Sequence, residues 1–170
     1  MTNRNLINQY LKQTQDIYGD KLYFNLKKDP KYSKVVDYSL DEFHSSIKNC
    51  QACQLGSTRK NFVFGVGDKD ADLLLVGEAP GEKEDMEGIP FVGRAGKLLD
   101  KILAAISLSR DSGVYICNVI KCRPPKNRDP LPSEIEKCEP YLKEQINLIK
   151  PKLIVALGRV AAKTLLNNDL

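Results

Sequence analysis

Hydrophobic positions divide the chain into a helical N-terminal stretch and an alternation of apolar runs and helical stripes after it. Leu6, Ile7, Tyr10, Leu11 and Ile17 recur at helical spacing between Asn3 and Tyr18, and Gly19 supplies a stop. Residues 20–37 are lysine-rich with a weak pattern, which reads as a loop. Ser39-Leu40-Asp41-Glu42 has the form of a capping box, with Ser39 as N-cap and Glu42 three residues on. It opens a short helix that runs into Cys50.

From residue 72 onward, strand and helix signals take turns. Asp72–Val76 is a short apolar run closed by Gly77 and predicts a buried strand. Gly93–Ile106 predicts a helix, with Leu98, Leu99, Ile102, Leu103 and Ile106 on one apolar stripe. Val114–Ile120 is β-branched and aromatic, a second strand. Ser133 with Glu136 forms another capping box and opens a helix to about Ile149, Leu153–Leu157 is a third strand, and Gly158–Leu166 begins a last helix. This alternation predicts a three-layer α/β/α sandwich around a short parallel sheet. Residues 1–49 then form an N-terminal helical extension and residues 50–170 the α/β domain. Five consecutive apolar residues at 153–157 suit a strand buried on both faces. Either that strand sits between the other two, or the domain continues past Leu170; truncation at the C-terminus is the favoured expectation.

Composition narrows the classes. The 170 residues are 42% hydrophobic and 28% charged, a globular balance rather than a disordered one. No apolar run approaches the roughly 20 residues that span a bilayer, and Met1–Lys12 has no secretory apolar region, so a cytoplasmic protein without a membrane segment is expected. The net charge of +4 permits nucleic-acid binding without arguing for it. There is no Trp, and the one histidine, His44, excludes chemistry that needs several imidazoles, such as a zinc hydrolase with several His ligands.

Cysteine is the informative residue type. Cys50-x2-Cys53 lets two thiolates reach one metal centre from adjacent backbone, and Cys122 and Cys138 supply two more ligands. Four thiolates suit zinc or an iron–sulfur cluster, and spacing by itself leaves both open. Cys117 lies mid-strand and reads as a buried inert thiol.

Further candidates cluster at strand ends. Gly77-Glu78-Ala79-Pro80-Gly81 follows the first strand, where open α/β sheets place their ligands, but it matches neither a dinucleotide fingerprint nor a P-loop. Phe91, between Pro90 and Gly93, is placed to stack on a planar ligand. Asn118 offers an amide donor and acceptor together, as reading one edge of a nucleobase requires. Lys121, Arg123, Lys126 and Arg128 form a proline-stiffened basic loop that suits phosphate contacts.

Together, Cys50-x2-Cys53, Gly77-Glu78-Ala79-Pro80-Gly81, Gly88-x-Pro90-Phe91-Val92-Gly93-x-Ala95-Gly96, Asn118-x3-Cys122-Arg123-Pro124-Pro125 and Cys138 resemble the family 4 (type 4) uracil-DNA glycosylases. The match runs from Cys50 to the end of the chain, about 120 residues. The resemblance implies a base-excision repair hydrolase that cleaves the N-glycosidic bond of deoxyuridine in single- or double-stranded DNA. It implies a structural [4Fe-4S] cluster on Cys50, Cys53, Cys122 and Cys138. It also implies a pocket of Gly77, Glu78, Ala79, Phe91 and Asn118, with Phe91 stacked on the flipped uracil. A monomer is expected, and a sliding clamp is a conceivable partner.

The chain departs from the family in two places. Relatives with Asp in place of Ala79 use it to position the attacking water, so Glu78 becomes the catalytic candidate, with Glu84 and Asp85 behind it. The family's C-terminal His-Pro motif has no counterpart after Cys138, and His44 lies upstream of the first cysteine. Uracil release is therefore expected to need a restored C-terminal element. Residues 121–137 also lack the histidine-bearing basic loop of the covalent-trapping relatives. Two other classes remain: a cluster-containing DNA-binding module with lost or weak catalysis, and a zinc-stabilised structural domain.

Overall fold

The computed structural model describes residues 38–166, and the helix expected at Asn3–Tyr18 lies outside the described residues. Strands β2 (Leu73–Gly77) and β3 (Val114–Asn118) run parallel at the centre of one sheet, in register from Leu73 against Val114 to Gly77 against Asn118. Strand β4 (Leu153–Ala156) adds in parallel to the other side of β2. Strand β1 (Val66–Gly67) pairs antiparallel with β3, which gives the order β1-β3-β2-β4. With two residues and no apolar run, β1 left no trace in the hydrophobic pattern.

Period-2 alternation explains why helices cover both faces. Leu75, Val114 and Ile116 point one way and pack on Leu99 and Leu103 of α4 (Arg94–Ala105). Leu74, Val76, Tyr115 and Cys117 point the other way, against Leu40 and Phe43 of α1 (Leu40–Ile47) and Leu142 and Ile149 of α5 (Pro132–Ile149). Ala161 of α6 (Arg159–Leu166) joins the same layer. The chain is an α/β protein with a mostly parallel sheet. Helix α1, grouped with the extension in the sequence, contributes two side chains to this core. Among the described residues no helix is long and apolar enough to cross a membrane.

The Ser39 capping box forms as expected: the Glu42 amide donates to Ser39 Oγ at 3.2 Å and the Ser39 amide to Glu42 Oε2 at 2.6 Å. Three expectations need correction. The α4 stripe splits, because only Leu99 and Leu103 face the sheet while Leu98, Ile102 and Ile106 are more than half exposed on the outer side. Helix α5 begins at Pro132 rather than at a Ser133 cap; Glu134 Oε2 accepts the Leu131 amide at 2.8 Å instead of Glu136 closing a box. Strand β4 does not sit between the other two: it takes the edge of the described sheet beside β2, with Val155 36% exposed.

Candidate functional site

Gly77 and Asn118 close their strands side by side, at the carboxyl edge where an open parallel sheet leaves a crevice. Phe91 comes over that edge. A Cβ at position 77 would lie 2.4 Å from Asn118 Oδ1 and 2.5 Å from Phe91 Cζ, so glycine is what lets ring and amide meet at the strand end. Asn118 is 1% exposed, and its Nδ2 is the one buried side-chain polar atom among the described residues with no hydrogen-bond partner. An unpaired buried donor costs about 1–3 kcal/mol. A ligand acceptor placed there removes that cost.

The loop that carries Phe91 is held tightly. Phe91 has φ of 55°, in the left-handed region that costs an L-residue roughly 1–2 kcal/mol. Glu84 Oε1 accepts the amides of Val92 and Gly93, each at 2.9 Å. A Cβ at Gly96 would lie 1.6 Å from the Phe91 carbonyl oxygen, so α4 starts in direct contact with this turn. Glu84 sits on α3 (Glu82–Glu87), and its neighbour Asp85 is buried, with Oδ1 accepting the amides of Lys60 at 2.9 Å and Asn61 at 3.3 Å. Both carboxylates therefore hold backbone, which removes them as reserves for Glu78.

Glu78 follows Gly77 directly and is half-buried. Burial raises its carboxyl pKa, the nearby Asp129 adds to the rise and Arg159 opposes it. The carbonyls of Gly77 and Glu78 accept the amides of Val119 at 2.8 Å and Ile120 at 3.1 Å, which fixes the turn against β3. Ala79 turns toward the larger core cluster.

Cys50, Cys53, Cys122 and Cys138 line one cavity, together with Arg59 and Tyr141. Among the described residues no three His, Cys, Asp or Glu side chains converge as a single ion would require. Four donors instead point at the sulfurs. Arg59 Nη1 reaches Cys122 Sγ at 3.3 Å, the Lys121 amide reaches Cys138 Sγ at 3.3 Å, and Tyr141 Oη and the Ala52 amide reach Cys50 Sγ at 3.2 and 3.4 Å. Burial pushes the Cys138 thiol up to about 11 and raises Cys122 as well, while the neighbouring Lys121 and Arg59 oppose the rise. Cys117 is fully buried in the core and stays apart from the four.

The basic loop divides. Lys121 does not face phosphate: it is fully buried, and Nζ donates to the Asn118 carbonyl at 2.6 Å and to Gln145 Oε1. The physical reason is its place directly behind β3, under α5. Arg128 makes a two-pronged pair with Glu134 at 2.7 and 2.9 Å, on the exposed start of α5. Arg123 bonds Asn127 Oδ1 at 2.7 Å, and Lys126 is exposed. His44 stacks on Phe64 at 4.4 Å between ring centroids and is part of the packing around α1. Sequence reasoning missed Arg59, Tyr141, Arg110 and the structural use of Glu84, because their partners are distant in the chain.

An unpaired buried amide beside an aromatic ring at a strand end, together with a cavity lined by four thiols, gives this α/β domain two candidate sites. The chain belongs to the uracil DNA glycosylase superfamily, which matches residues 64–170. It is similar to the type-4 uracil-DNA glycosylase of Archaeoglobus fulgidus, 54% identical over 129 residues that make 76% of this chain and 64% of that protein. A type-4 uracil-DNA glycosylase of Pyrobaculum aerophilum is 49% identical over 75% of this chain and 64% of its own length. Another, of Thermotoga maritima, is 51% identical over 68% of this chain and 59% of its own. The chain thus spans somewhat less than two thirds of the length of the curated relatives it matches.

Proposed function

We propose that this protein excises uracil from DNA by hydrolysing the N-glycosidic bond of a flipped-out deoxyuridine. One observation carries the reading: the orphan Asn118 Nδ2 beside the Phe91 ring, above the bare Gly77. Uracil stacked on Phe91 presents a carbonyl acceptor and an N–H donor along one edge, which complements the amide's donor and acceptor. An enzyme acting on a base must take it out of the stack, and an aromatic ring beside an unpaired amide at a strand end suits that task.

The reaction follows from these groups. The C1′–N1 bond breaks with its electron pair leaving on uracil, and the sugar becomes an oxocarbenium-like cation. Asn118 Nδ2 donates to the uracil oxygen on which the negative charge grows, as an oxyanion-hole donor does. Water adds at C1′, and Glu78 orients it and passes its proton on toward the uracil anion. Arg123, Lys126 and Arg128 face the phosphates of the flanking strand, Arg128 through the part of its side chain that Glu134 leaves exposed.

Cys50, Cys53, Cys122 and Cys138 would hold a [4Fe-4S] cluster that pins the 50–53 loop to the segment after β3 through Cys122 and to the middle of α5 through Cys138. Four thiols lining one cavity, with outer donors on Cys50, Cys122 and Cys138, suit a thiolate-held cluster. Purified protein is expected to contain iron and sulfide and to absorb near roughly 400 nm. Colourless protein with stoichiometric zinc overturns the cluster.

The activity is tested with oligonucleotides carrying one uracil, single- or double-stranded. With the family's C-terminal His-Pro element restored, uracil release and alkali-labile abasic sites are expected, with loss of release in Asn118→Ala and Phe91→Ala at unchanged iron content. Unchanged release in both variants rejects the pocket. No release, and no preference for uracil-containing over thymine-containing DNA, rejects the activity.

A further inference from the structure

We propose that Arg110, oriented by Asp100, is the positioning residue that keeps the Phe91 ring over Gly77. The inference rests on the reading of Phe91 as the ring that stacks on the base. Arg110 lies between α4 and β3, nineteen residues from Phe91 in sequence. Its guanidinium makes three bonds. Nε donates to Asp100 Oδ1 at 2.6 Å, Nη1 to the Pro90 carbonyl at 2.7 Å, and Nη2 to the Phe91 carbonyl. Its side chain is 19% exposed, well shielded from competing water.

Geometry makes this contact more than a surface tie. Phe91 sits at positive φ, a conformation that a phenylalanine leaves unless its surroundings hold it. Residues 90–93 are held from two sides: Glu84 takes the amides of Val92 and Gly93, and Arg110 takes the carbonyls of Pro90 and Phe91. Only Arg110 grips the residue that bears the ring. The Phe91 carbonyl otherwise faces the Gly96 backbone, where the approach is too close for any side chain. Two successive carbonyls need a planar fork of donors, which guanidinium supplies and an ammonium on a single stem does not. Asp100, five residues before the end of α4, fixes the rotation of that fork.

The test uses the full chain and reads the ring directly. The protein has five phenylalanines, so Phe91 ring resonances are assigned by their loss in Phe91→Leu. In Arg110→Gly, the Phe91 resonances are expected to move toward those of a solvent-exposed ring while the other four stay in place. Millimolar guanidinium is expected to restore them. Single-turnover uracil release is expected to fall about 100-fold and to recover with the same guanidinium dependence. Asp100→Asn gives a smaller shift in the same direction. Should Arg110→Gly fail to fold, Arg110→Lys keeps the charge opposite Asp100 yet cannot bridge both carbonyls, and the same displacement is expected.

Unchanged Phe91 resonances in the folded Arg110 variant overturn the inference, whatever the wild type does with uracil. Displacement reversed by guanidinium in a protein whose wild type neither releases uracil nor shifts Phe91 on adding it upholds the positioning role and rejects the base-stacking function. The two failures are thereby separable.

Discussion

Gly77→Ala is expected to lower uracil release by about 100-fold or more while leaving the protein folded, because misplacement of a stacked base by an ångström has that effect. The added methyl meets Asn118 Oδ1 at 2.4 Å and the tip of the Phe91 ring at 2.5 Å. Neither neighbour can yield freely. Phe91 hangs from a turn pinned by Glu84 and by the start of α4, and Asn118 is buried within the end of β3. The backbone itself tolerates alanine, since position 77 is not among the residues with positive φ. Thermal unfolding should shift by only a few degrees, the cost of overpacking being about 1–3 kcal/mol, while single-turnover release collapses. A rate within threefold of wild type in folded Gly77→Ala would show that the ring and the amide do not share the base.

The second large effect concerns stability. Lys121→Met removes the amine that bridges the Asn118 carbonyl and Gln145 Oε1, and leaves both oxygens buried without a donor. Buried acceptors left without their donor cost about 1–3 kcal/mol, a fall of several degrees in the unfolding midpoint for a domain of this size. The Lys121→Met, Gln145→Leu double variant should recover part of the loss, because it removes the charge-bearing and accepting partners together. Gln145 also donates to the Phe64 carbonyl at 2.9 Å, so recovery is incomplete. Circular dichroism melting of the two single variants and the double one measures the coupling. A Lys121→Met protein as stable as wild type would mean that water replaces the amine.

Lys121 also shows where a linear reading fails. In the sequence it is the first of four basic residues in eight, and charge density argues for a solvated, phosphate-facing loop. In the fold it stands one turn behind β3, where the chain still runs beneath α5, and the amine is drawn inward by two oxygens. Leu98, Ile102 and Ile106 fail in the opposite sense: a stripe broad enough for a core face meets a sheet that covers only Leu99 and Leu103. Glu84 and Asp85 looked like reserve catalysts because carboxylates near a glycine turn resemble acid–base groups. Each instead accepts two backbone amides that no sequence pattern announces.

By itself the sequence determined what depends on neighbours close along the chain: the strands at 73–77 and 114–118, the Ser39 cap, the C-x2-C turn and the glycine-rich turn after β2. Periodicity, capping and turn chemistry act over a few residues, so they are written in order. Only the tertiary structure decided which of those pieces share a site. Parallel pairing of β2 with β3 sets Gly77 beside Asn118, forty-one positions apart, and a left-handed residue held by Arg110 and Glu84 swings Phe91 over them. Likewise, one cavity collects four thiols from three separate segments and supplies Arg59 and Tyr141 as donors to two of them. These are contacts across the sheet and between layers, fixed by packing rather than by local propensity, and so the chemistry became visible only when the chain was folded.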